Sequence, residues 1–118
     1  MMMRPDQPEA RLDPWEIAAE LSKRGLDWAD KNAAFKALED TTKTVLSICT
    51  SKLNDPDLSA TAAEVIARRA TGYQEHLKAL ADARLESNRA TVNYDVYKVY
   101  IEMRRSLEAT NRAEMTMR

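Results

Sequence analysis

The sequence predicts an all-α chain: a long antiparallel helical hairpin, about 14–53 and 72–114, joined by a short helix at about 60–70. Three observations carry this. Ala, Leu, Arg, Glu and Lys make up about half of the 118 residues, the composition of long helices. Only Gly25 and Gly72 supply glycine, and three of the four prolines precede Trp15, so little punctuates the chain beyond that point. Apolar residues then recur at helical rather than strand spacing over most of the chain.

Residues 1–12 are polar and broken by Pro5 and Pro8, which predicts a flexible arm, and 13–118 read as a single helical domain. Asp13-Pro14 starts the first helix, because Asp accepts from free N–H groups, Pro suits the first helical position, and Glu16 completes a capping spacing. Ile17, Leu21, Trp28, Phe35, Leu38, Thr42, Val45, Leu46, Cys49 and Leu53 then share about a third of the helical circumference. Gly25 is the weak point of this helix and the expected place for a kink.

Asn54-Asp55-Pro56-Asp57 is a turn signal, and Ser59 can cap the short helix that follows. Thr71 and Gln74 have the spacing of a second capping box. In the last helix Leu77, Ala81, Leu85, Asn88, Val92, Val96, Val99, Met103, Leu107 and Thr110 follow an eleven-residue repeat, which runs nearly straight. Half a turn away lies a second face of Ala83, Ala90, Tyr94, Tyr97 and Ile101. Residues 91–96 also alternate with period two, but nothing bounding them supplies the turns a strand needs.

These patterns lead to an expectation about packing. The first helix's stripe is expected to meet the eleven-residue stripe, leaving Ala83, Ala90, Tyr94, Tyr97 and Ile101 uncovered in a lone hairpin. That face is therefore the candidate interface, and a homodimer or higher bundle is the expected state.

Charge and chemistry narrow the function classes. The net charge is −1 with interleaved signs, so no whole-chain footprint for nucleic acid or anionic membrane is present. No apolar run reaches membrane-spanning length, the opening residues lack a secretory signal's apolar core, and a cytoplasmic location is expected. Cys49 among Val45, Leu46 and Ile48 reads as a small buried hydrophobe. His76 is the single histidine, and the sequence has no Gly-rich phosphate loop, nucleophile elbow or HExxH pair. No catalytic residue, metal or cofactor is expected, and the chain reads as a non-enzyme. The alternative is direct single-stranded nucleic-acid binding, with Tyr94, Tyr97 and Tyr100 interleaved with Lys98, Arg104 and Arg105, and Arg112 beyond them. A third reading is a helical subunit of a larger assembly.

The long-short-long helix order looks like that of the helical chorismate mutases, but their arginine pattern does not map onto Arg24, Arg84 and Arg89. Two stretches, Arg24-Gly25-Leu26-Asp27-Trp28-Ala29-Asp30 leading into Leu38–Leu46, and Tyr73-Gln74-Glu75-His76-Leu77 leading into Ala83–Ala90, resemble small all-helical proteins of tailed phages and prophages. Such proteins tend to be encoded among DNA recombination and replication genes. The resemblance implies an accessory interaction protein in that setting, binding itself and another phage or host protein in the host cytoplasm. It assigns no site residue.

Overall fold

The computed structural model describes residues 13–117. The expected arm at 1–12 lies outside them. Four helices follow one another: α1 (Pro14–Asp40), α2 (Thr42–Leu53), α3 (Ala60–Ala67) and α4 (Thr71–Thr116). No strand occurs among the described residues, and 91–96 are helical.

The starts and stops have local causes. Asp13 Oδ1 accepts from the Trp15 N–H at 2.9 Å, and the Asp13 carbonyl accepts from the Ile17 N–H, so Asp13 caps α1 as expected. The helix then runs without a break through Gly25. The distortion comes instead at Thr41 (φ −91°, ψ −1°). There the Thr41 hydroxyl reaches the Ala37 and Leu38 carbonyls, and the Thr42 hydroxyl reaches Leu38 as well. Side-chain hydroxyls crowding the carbonyls of the preceding turn are a known cause of helix bending. The Thr41 N–H still donates to the Ala37 carbonyl and the Val45 N–H to the Thr41 carbonyl, so the expected long helix over 14–53 is present with a local distortion at Thr41.

Asn54 ends α2 in the left-handed region (φ 44°, ψ 43°), a conformation Asn tolerates, and Asp55 Oδ1 accepts from the Asp57 N–H at 3.0 Å to close the turn. Ser59 caps α3 through the Ala62 N–H. The second capping box does not form. The Ala70 carbonyl accepts from the Gln74 N–H, placing the cap one residue before Thr71, and the Gln74 amide donates to the Arg68 carbonyl at 2.6 Å, closing the end of α3.

The described residues form two compact units, one of 13–28 and 89–117, the other Ala29–Asn88. In the second unit Cys49, Ala67 and Tyr73 are buried, with Val45, Leu46, Leu53, Ala70 and Leu77 packed around them. Cys49 is therefore a core residue, as its neighbours suggested. Along the same unit α1–α2 and α4 run antiparallel. Lys31 Nζ lies 4.0 Å from Glu86, the Arg84 guanidinium sits over the Phe35 ring at 5.3 Å, and Thr42 Oγ1 is 2.9 Å from His76 Nε2. The Thr42 hydroxyl lies within hydrogen-bond reach of both the Leu38 carbonyl, at 3.1 Å, and the His76 ring. His76 is a packed polar residue of the helix pair.

In the first unit α1 and α4 are again antiparallel, with Gly25 beneath the Tyr94 ring and Arg24 Nη1 donating to the Asn93 carbonyl at 2.9 Å. The face of α4 that packs has a simple rule. In one unit Tyr73, His76, Leu80, Ala83 and Ser87 are buried or half-buried; in the other Ala90, Tyr94, Tyr97, Ile101, Arg104 and Glu108 are. Their separations alternate between three and four residues, the spacing of a heptad seam. The packed face of α1–α2 alternates in the same way through Ile17, Leu21 and Arg24 in one unit and through Lys31, Phe35, Leu38, Thr42, Val45 and Cys49 in the other; the step of seven from Arg24 to Lys31 passes over Trp28, which is exposed.

Candidate interaction surface on α4

The two faces of α4 exchange the roles expected from sequence. Ala90 and Ile101 are 3% and 5% exposed, Ala83, Tyr94 and Tyr97 are half-buried, and all five belong to the face that packs within the chain. Apart from Leu77, which packs in the core of the second unit, the eleven-residue stripe is the one left open. In the first unit Val92, Val96, Val99 and Met103 are each 50–58% exposed and Leu107 is 36% exposed. The reason is period matching. The stripe of α1–α2 advances by 3.5 residues per turn, and a partner seam must advance equally to stay in contact. On α4 the face with that period is built from small, aromatic and polar residues, whereas the aliphatic stripe advances by about 3.67 and drifts away. A comparison of the two periods is the signal in the sequence that identifies the buried face.

The packed face is organised around Arg24. Its Nε lies 2.7 Å from Glu20 Oε1, its Nη1 reaches the Asn93 carbonyl, and its guanidinium covers the Tyr97 ring at 4.6 Å. Tyr97 also stacks with Tyr100, ring centroids 5.9 Å apart. The hydrogen bond from Arg24 holds the Glu20 carboxyl below its usual pKa, and burial raises the Tyr97 phenol above the usual value. These rings and this guanidinium are occupied with one another.

The residues expected to contact nucleic acid are placed differently from one another. Arg104 is 3% exposed in the seam and does not present its guanidinium to a phosphate backbone. Lys98 is exposed but lies 3.3 Å from Asp95 and over the Tyr94 ring at 4.4 Å. Arg105 lies 3.6 Å from Glu102, and Arg112 is exposed near the end of α4. Arg104 is thus turned into the helix pair and Tyr94, Tyr97 and Tyr100 are half-buried, while Lys98, Arg105 and Arg112 stay exposed.

Beside the stripe, an open groove of about 1240 Å³ runs along the first unit, lined by Leu21, Tyr94, Ile101, Val99, Met103 and Leu107 among others. The charged side chains at its rim are the paired ones, Lys98 with Asp95 and Arg105 with Glu102. Among the described residues no group of three or more His, Cys, Asp or Glu gathers to hold a metal, and no helix is long and apolar enough to cross a membrane. What this surface offers chemically is desolvation of aliphatic side chains. No family model, curated protein or solved structure matches the chain.

Proposed function

We propose that this is a non-catalytic interaction protein that associates with itself through the α4 stripe and serves as an accessory factor for a further protein partner. The observation that carries this reading is the stripe of Val92, Val96, Val99, Met103 and Leu107, uncharged along its length and open to solvent. Together these five side chains leave on the order of 400 Å² of apolar surface open, comparable to the largest patch on an ordinary soluble protein, which is often a functional one. Covering it on two copies is worth up to about 20 kcal/mol at 25 cal/mol per Å², against roughly 4–15 kcal/mol lost on association.

The phage-type DNA-processing setting rests on the sequence resemblance alone, as does a phage or host partner. Self-association is the part the geometry supports. Sedimentation equilibrium at tens of micromolar tests it: the wild-type chain is expected at the mass of a dimer or higher, and Val96→Lys, a helix-compatible change on an exposed position, at the mass of one chain. A monomeric wild-type chain under these conditions overturns the reading.

A further inference from the structure

We infer that the occupant of the stripe is a second copy of this chain whose α4 lies parallel to the first, an inference that rests on the self-association proposed above. Area gives the first argument. A standard interface buries about 800 Å² on each partner, a little over half of it apolar, and the stripe's roughly 400 Å² matches that apolar share. Period gives the second. A straight stripe advancing by about 3.67 residues per turn requires a partner with the same advance, which an identical helix has along its whole length.

Charge selects the direction. Val92, Val96, Val99 and Met103 are separated by four, three and four residues, so either direction brings them into register. The residues beside them differ. Asp95 and Glu102 border one edge of the stripe; Asn93 and Tyr100 border the other. In an antiparallel pair like edges meet, which sets Asp95 against the partner copy's Glu102, twice by symmetry, and like charges across a seam are repulsive. In a parallel pair unlike edges meet, and Asp95 faces the Tyr100 edge, where a phenol can donate to a carboxylate. The ion pairs of Asp95 with Lys98 and Glu102 with Arg105 are exposed, and they screen this difference without removing it.

Disulfide trapping of the full chain reads the direction. In a parallel pair the two copies of Leu107 face each other; in an antiparallel pair centred between Val96 and Val99 they lie roughly 28 Å apart at 1.5 Å per residue. Leu107→Cys is expected to form a covalent dimer under mild oxidation that reductant reverses. The wild-type chain, whose own Cys49 is buried in the other unit, is expected to give none. Cross-linking between mixed Val92→Cys and Met103→Cys chains, with none for Leu107→Cys, overturns the parallel arrangement while leaving self-association standing. A chain that sediments as a monomer overturns both.

Discussion

Arg24 shows how one side chain ties two helices together without a large apolar contact. Its guanidinium has flat faces and donors at its edge, so it can stack on Tyr97 while donating to Glu20 and to the Asn93 carbonyl. The Glu20 carboxyl sits partly in solvent, so this ion pair is screened and fixes geometry more than it adds stability. Tyr97 is the more informative titrating group. Its folded-state pKa is raised, mainly by burial, with the Glu20 charge acting in the same direction. Above about pH 10 the unfolded chain releases a proton that the folded chain retains, so this contribution is complete below pH 10 and is lost as the pH rises through the raised value. Urea midpoints measured at about pH 9 and pH 11 are expected to fall over that interval, and Tyr97→Phe is expected to flatten the fall. An equal slope in Tyr97→Phe would place its origin elsewhere.

At the scale of the helices, Gly25 separates what composition predicts from what packing permits. The sequence marks it as the place to kink α1, yet the helix continues through it, because the Tyr94 ring lies against the glycine and the neighbouring turns are held to α4 by Arg24. A Cβ at this position would meet Tyr94 Cζ at 3.5 Å, ordinary contact, and the backbone is not in the left-handed region. Gly25→Ala is therefore expected to stabilise the protein by about 0.5–1 kcal/mol through helix propensity and a less disordered unfolded state. Chemical denaturation checks this, and a loss of stability would show that Tyr94 needs more room than the contact distance suggests. The element types were legible in the sequence because caps and turns are local: Asp13, Ser59 and the Asn54–Asp57 turn all act as their chemistry dictates. The distortion at Thr41 was not legible as a Pro or Gly signal, since it comes from hydroxyls competing for carbonyls within the helix. The buried face of α4 was harder to read. Hydrophobicity pointed to Val92, Val96 and Val99, whereas the face that packs holds Ser87, Ala90 and Arg104, residues chosen by matched spacing and by how closely the helices approach.

For the molecule as a whole, the division of α4 into a packed seam and an open aliphatic stripe separates folding from association. Ala90 and Ile101 are buried within one chain, so their contribution to stability does not depend on concentration. Val96 and Val99 are about half exposed in one chain, and their contribution is realised only where a second surface covers them. If two folded chains are linked in this way, unfolding also dissociates them, and mass action makes the melting temperature rise with protein concentration. A tenfold increase adds about 1.4 kcal/mol per pair, which for two chains of this length amounts to about 3–6 °C. Thermal melts followed by circular dichroism over two decades of concentration are expected to show that rise for the wild-type chain. Val96→Lys is expected to keep its helical signal at low temperature and to melt at a temperature that does not depend on concentration, because the substituted side chain stands in solvent in the separate chain. Ile101→Lys is expected to lose several kcal/mol at every concentration, since it places an ammonium group in the packed seam. A wild-type melting temperature that stays constant over this range would mean that the stripe remains exposed, and its aliphatic residues would then need a partner other than this chain.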